Sequence, residues 1–160
     1  MYDIGVPGPT NLPLSQRFAL YARAKSHLAK KILIVDDSSV IREAIRALLQ
    51  GQPDLEICGE AVDGLDAVEK TRELKPDLIL LDLAMPKLNG AAAASAIRRA
   101  APKLPIILFT MYEESAEALA KAVGVDVVLS KSDGIGKLVN RVRQLLESRS
   151  DQIRVRAIAG

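Results

Sequence analysis

Between Lys31 and Ser130, short strand-like runs, most of them apolar, alternate with longer stretches whose apolar residues recur at helical spacing. The runs are "KILIVD", "LEICGEA", "DLILLD", "LPIILFT" and "VDVVLS", each the length of a strand buried on both faces. The stretches between and after them are "SSVIREAIRALLQG", "DGLDAVEKTREL", "NGAAAASAIRRA", "YEESAEALAKAVG" and "DGIGKLVNRVRQLLES". In the first, Val40, Ile41, Ala44, Ile45, Leu48 and Leu49 form one stripe and Gly51 supplies a stop. Strict alternation over five strand–helix units predicts a doubly wound parallel sheet with helices on both faces, an α/β fold.

The flanks read differently. Residues 1–13 carry Gly and Pro at close intervals, the pattern of a flexible lead. In residues 14–30, Leu14, Phe18, Tyr21 and Leu28 fall near helical spacing with Arg17, Arg23 and Lys25 between them. A short amphipathic helix is expected there, either a partner-binding arm or upstream sequence of little consequence. His27 is the single histidine, so no metal site is built on it. The central domain is placed at 31–148. The C-terminal tail, 149–160, shows weak alternation (Ile153, Val155, Ala157) and no helical stripe, which suggests a short added strand or a frayed end.

Composition narrows the function without naming it. Of 160 residues, 49% are apolar and 26% charged, a profile with enough chain to bury a core. A net charge of +2 gives no argument for nucleic acid or an anionic membrane. One cysteine, Cys58, excludes an intrachain disulfide and reads as a small buried hydrophobe. No run is long enough to span a bilayer and no signal core precedes residue 30, so a cytoplasmic location is expected.

The chemistry lies where the runs end. In an open α/β sheet, ligands bind beyond the carboxyl ends of the strands, where strand order reverses. Those ends carry Asp36 and Asp37, then Glu60, Asp82, Thr110, and Ser130 with Lys131. Each has a plainer account alone: a helix cap among Asp36, Asp37, Ser38 and Ser39; a turn at Asp82; a capping box from Thr110 to Glu113; a solvated Lys131; a cap at Asp133. Together they make a small site if the first and third strands are neighbours, about 4.8 Å apart. The order 2-1-3-4-5 makes them so, whereas 3-2-1-4-5 does not. Crowded carboxylates then call for a cation, and oxygen ligands with room for water suit Mg²⁺.

The acid pair in "ILIVDDSSVIREAIRALL", the aspartate in "DLILLDLAMPKLNG", the threonine in "PIILFTMY" and the lysine in "VVLSKSDG" together resemble the receiver domain of bacterial two-component response regulators, over about Lys31 to Ser148. The resemblance implies a flavodoxin-like fold with order 2-1-3-4-5. It implies Asp82 as the phospho-accepting nucleophile, with Thr110 and Lys131 on the phosphoryl group. Mg²⁺ would be held by Asp36, Asp37, Asp82 and the backbone carbonyl of Ala84, with Asp37 rather than Asp36 touching it directly. The partners implied are a sensor histidine kinase or phosphotransfer protein and a downstream protein target. A homodimer through helix 4, strand 5 and helix 5 is also possible.

Two positions depart from the family pattern. Ser132 stands where a proline, often with a cis peptide, usually follows the lysine, and Val128 stands where an aromatic switch is common. "LSKSDG" has the flavour of regulators that carry a LuxR-type DNA-binding domain, but no basic recognition helix is visible, and direct nucleic-acid binding is not expected. A pseudo-receiver that works without phosphorylation is opposed by the intact acids, Thr110 and Lys131. Dehalogenase-like phosphatases place a general acid two residues after the nucleophile; Ala84 occupies that position, so an enzyme in turnover is not expected. The expectation is a stand-alone, chemotaxis-regulator-like receiver that signals by protein contact.

Overall fold

A computed structural model describes residues 13–17, 29–111, 113–134 and 136–158, with the side chains of 113–115 and 149–158 outside the description. Five strands form one parallel sheet: β1 (Lys30–Val35), β2 (Leu55–Ala61), β3 (Leu78–Leu81), β4 (Ile106–Thr110) and β5 (Val127–Ser130). Five helices join and follow them: α1 (Ser39–Gln50), α2 (Gly64–Leu74), α3 (Gly90–Ala100), α4 (Glu113–Val123) and α5 (Gly136–Ile158). The strand order is β2-β1-β3-β4-β5, as the receiver resemblance implies. β1 and β3 therefore pair directly, with Val35 opposite Leu81. Asp36 and Asp82, the next residues along, leave the sheet side by side.

The period-two alternation of each strand feeds two separate cores. Ile32, Ile34, Leu78, Leu80, Ile107 and Phe109 face α1 and α5, where Ile45, Leu49, Leu138 and Val142 meet them. Leu33, Val35, Ile79, Leu81, Ile106 and Leu108 face α2, α3 and α4, which offer Ala67, Ala93, Ala94, Ile97, Ala116 and Ala120. One face thus packs two helices through large side chains, and the other packs three through alanines. Each fully buried Ile or Leu contributes about 1.5–3 kcal/mol relative to exposure, which is why the sheet is nearly all aliphatic.

Local chemistry sets the element ends. Ser38 caps α1 by accepting from the Ile41 amide, Asp63 caps α2 by accepting from Asp66, and Asn89 caps α3 by accepting from Ala92. At the amino edge of the sheet, Arg98 of α3 donates to the carbonyls of Pro102, Leu104 and Gly124 and to Asp126 Oδ2. That same oxygen accepts the Ile106 amide at 2.9 Å. One arginine therefore ties together the turns that enter β4 and β5.

Cys58 is the extra residue where β2 slips register against β1 between Ile32 and Leu33. It is half-buried, its thiol donates to the Ile32 carbonyl at 3.4 Å, and burial pushes its pKa up. It is thus less buried than the small core hydrophobe expected from sequence.

Two expectations change. The tail is not an added strand: α5 continues to Ile158, because a helix already nucleated and packed propagates at little cost per residue. Asp133 does not cap that helix. It ends a 3₁₀ turn (Lys131–Asp133), Gly134 at φ 85° redirects the chain before α5 begins at Gly136, and Asp133 pairs with Lys137 at 3.0 Å. Of the amphipathic helix expected before residue 30, only residues 14–17 are described, and they form a helical turn. Among the described residues no helix is long and apolar enough to cross a membrane.

Gly90 marks the tightest joint. A Cβ built on it would lie 2.0 Å from the Asp82 carbonyl oxygen and 2.8 Å from Leu83 Cα, both backbone atoms. Gly90→Ala is expected to lower the unfolding free energy by about 1–3 kcal/mol in urea titrations. Gly136→Ala, where an added Cβ meets nothing, is expected to change it by no more than about 0.5 kcal/mol.

Candidate functional site

The carboxyl edge of the sheet brings Asp36, Asp37 and Asp82 together, each offering a carboxylate oxygen within 4.8 Å of the others. Asp36 and Asp82 are 2% and 6% exposed, whereas Asp37 faces solvent. Lys131, following β5, reaches across to both buried acids: its Nζ lies 2.5 Å from Asp36 Oδ2 and 3.2 Å from Asp82 Oδ1. Burial pushes the Asp82 carboxyl above its usual range; the Lys131 ammonium pulls it back and the Asp36 charge pushes it up further. Three acids with one ammonium leave a deficit of positive charge. An all-oxygen donor set with that deficit fits a hard divalent cation such as Mg²⁺.

Thr110 ends β4 fully buried, in register with Ser130 of β5. It therefore stands at the same edge as Asp82, one strand away. Glu113, its partner in the proposed capping box, has its side chain outside the described residues, as does Tyr112 as a whole.

Ser132 does not displace Lys131. Every described peptide bond, Lys131–Ser132 included, is trans. The Ser130 side chain accepts from the Ser132 amide and caps the 3₁₀ turn. Val128 is half-buried and packs among the residues under α2, α3 and α4.

The loop from Leu83 to Asn89 alternates in and out. Leu83, Met85 and Leu88 pack against the alanine-rich face, while Ala84 is exposed two residues past Asp82. The loop is closed by backbone bonds from Gly90 to the Leu83 carbonyl (2.9 Å) and from Gly64 to the Leu88 carbonyl (3.1 Å).

Two networks around the site were not anticipated from sequence. Lys87, with φ 61°, extends its ammonium to Asp63 Oδ2 at 2.6 Å and so clasps the loop to the start of α2. Asp63 before Gly64 was readable as a helix start, but nothing near Lys87 pointed to its partner 24 residues away. Arg42 of α1 donates to the Asp36 carbonyl at 2.8 Å and to Glu60 Oε2 at 2.9 Å. Glu60 is also paired with Arg46, and its carbonyl accepts from Lys70.

A family model for the response regulator receiver domain matches residues 32–143. Among curated proteins, a protein-glutamate methylesterase/protein-glutamine glutaminase of Nocardioides sp. is 38% identical over 122 residues, 72% of this chain and 33% of that protein. The response regulator protein VraR of Staphylococcus epidermidis is 36% identical over 124 residues, 77% of this chain and 59% of that protein. The chain thus spans well under two thirds of either relative. Among solved structures, the response regulator domain of Thermotoga maritima CheB is similar at 33% identity with a TM-score of 0.69, covering 74% of this chain and 97% of that one. A LuxR-family two-component response regulator from Aurantimonas sp. is similar at 29% identity and a TM-score of 0.71, covering 75% and 86%.

The Lys87–Asp63 clasp has a pH signature. The Asp66 amide first, and then Lys87, hold the Asp63 carboxyl below its ordinary value of 3.8. A depressed carboxylate stabilises the fold fully above its unfolded value and loses that contribution as pH falls through the lower folded value. Asp63→Asn can still cap α2 but carries no charge. It is expected to melt below the wild type at pH 7, with the gap smaller at about pH 3, where the unfolded carboxyl is already largely protonated. An equal deficit at both pH values would assign the loss to packing rather than charge.

Proposed function

The chain belongs to the response regulator receiver domain family, and from that premise we propose that it accepts a phosphoryl group on Asp82 and signals through protein contacts. The observation that carries this reading is the meeting of Asp36, Asp37, Asp82 and Lys131 at one sheet edge with buried Thr110 alongside. The proposed functional unit is residues 31–148.

Asp82 is the nucleophile. One of its oxygens forms a new bond to phosphorus while the bond from phosphorus to the donor breaks, leaving an acyl phosphate and releasing the donor group. Its environment suits that role: a carboxylate held out of water beside an ammonium is oriented and poorly hydrated, and phosphorylation moves the negative charge from the buried carboxyl onto phosphoryl oxygens. Lys131 already spans Asp36 and Asp82, and its ammonium would neutralise phosphoryl oxygens bonded to Asp82. The Thr110 hydroxyl, at the end of the neighbouring strand, would hydrogen-bond a third oxygen. Asp37, Asp82 and the carbonyl of Ala84 would hold Mg²⁺, with Asp36 beside them. The ion, when bound, supplies positive charge to the attacking carboxylate and the transferred group.

The donor is proposed to be a histidine kinase or phosphotransfer protein. The phosphoryl group carries about −1.5 to −2 charges in place of the single carboxylate charge, and it shifts the population of the surface around α4, β5 and α5, which a downstream protein or a second copy reads. Ala84 offers no general acid for hydrolysis, so the reading is a phosphorylated switch without substrate turnover, in an aqueous compartment with access to such a donor.

Intact mass after incubation with acetyl phosphate and Mg²⁺ tests this. The expected result is a gain of one phosphoryl group, absent in Asp82→Asn and after chelation of the metal. No gain in the wild type, or the same gain in Asp82→Asn, would overturn the assignment.

A further inference from the structure

Asp36 is held at all four of its polar atoms. Its amide donates to the Ala61 carbonyl at 3.1 Å, Oδ1 accepts the Ser38 amide at 2.9 Å, and Oδ2 accepts Lys131 at 2.5 Å. The fourth contact, on its carbonyl oxygen, comes from Arg42, which touches none of the three carboxylates of the cluster. That carbonyl belongs to the peptide joining Asp36 to Asp37. Because a peptide is planar, fixing its oxygen fixes the plane from which the Asp37 backbone departs. Asp37 is the exposed acid of the three, so its aim depends on its backbone more than on packing.

We propose that Arg42 is a positioning residue for the divalent-cation site: it sets the Asp36–Asp37 peptide and so aims the Asp37 carboxylate, with Glu60 as its own anchor. The assignment rests on the cation reading of Asp36, Asp37 and Asp82. The guanidinium suits the task because its planar fork presents donors in two fixed directions, Nε to Glu60 and a terminal nitrogen to Asp36. Glu60 keeps the fork in place. Burial would raise its pKa, but Arg46 and Arg42 overcome this and hold it ionised below its usual range. The Arg42 side chain is 15% exposed, so little water competes for either bond. Arg46 provides an internal control, because it shares the Glu60 carboxylate without contacting Asp36.

Calorimetric titration of the unphosphorylated full chain with Mg²⁺, alongside thermal melts, tests the proposal. Arg42→Met is expected to weaken Mg²⁺ binding by at least about tenfold, and Arg46→Met to change it by less than about twofold, though both lower the melting temperature. Arg42→Lys supplies a point charge in place of the fork. It is expected to weaken binding by at least about threefold, and it carries the test if the methionine variant does not fold. Wild-type affinity in a folded Arg42 variant, or an equal loss in Arg46→Met, would overturn the positioning role. No Mg²⁺ binding by the wild type would instead overturn the cation site, and this assignment with it.

Discussion

Two buried carboxylates share one ammonium. Asp36 and Asp82 emerge from adjacent strands at a distance set by the sheet, and Lys131 is the cation that makes their burial tolerable. Removing a carboxylate from water costs several kcal/mol, more than a single helix cap returns. The surroundings are organised to meet that cost. Each polar atom of Asp36 makes a hydrogen bond, Ser38 and Asn89 cap the starts of α1 and α3, and Gly90 lets α3 start against the Asp82 carbonyl. One ammonium among three acids still leaves the edge short of positive charge. In the proposed reaction, that shortage gives the site its affinity for a divalent cation, which would offset the charge of the incoming phosphoryl group.

The elements that could be read from the sequence are those whose signal is local. Four of the strands were largely aliphatic runs, and the first helix carried a stripe and a stop, because the buried faces of the sheet demand them. The strand order was not local: periodicity left two orders open, and the one observed came from the resemblance carried by the acids, Thr110 and Lys131. The same limit explains the misses. Arg42 and Glu60 are 18 residues apart, Lys87 and Asp63 are 24 apart, and each of these residues alone looks like an ordinary surface charge. The tail was misread for the opposite reason. Ile153, Val155 and Ala157 alternate locally, but an existing helix upstream decides the conformation of so short a segment.

The two departures from the family pattern have different structural weight. Ser132 changes the chemistry of the turn without changing where Lys131 points: a hydroxyl on Ser130 closes the 3₁₀ turn, and the trans peptide still delivers the ammonium to both acids. Val128 alters what lies under the surface beside α4, since an aliphatic side chain cannot swing between two rotameric sites as an aromatic ring can. In the proposed switch, any response at Thr110 must then be relayed by backbone and helix displacement.

The unequal packing of the two faces of the sheet shapes how this sequence can diverge. Beneath α1 and α5, large side chains such as Ile45, Leu49, Leu138 and Val142 fill the space, so shrinking one leaves a hole while exchanging one large residue for another costs little. Beneath α2, α3 and α4, Ala67, Ala93, Ala94, Ala116 and Ala120 let three helices lie close to the strands, so enlarging any of them forces strain. Drift is therefore permitted on one side and nearly frozen on the other. The frozen side is the one on which the loop after Asp82 rests, so the constraint that preserves the scaffold there also preserves the geometry of the acid that ends β3.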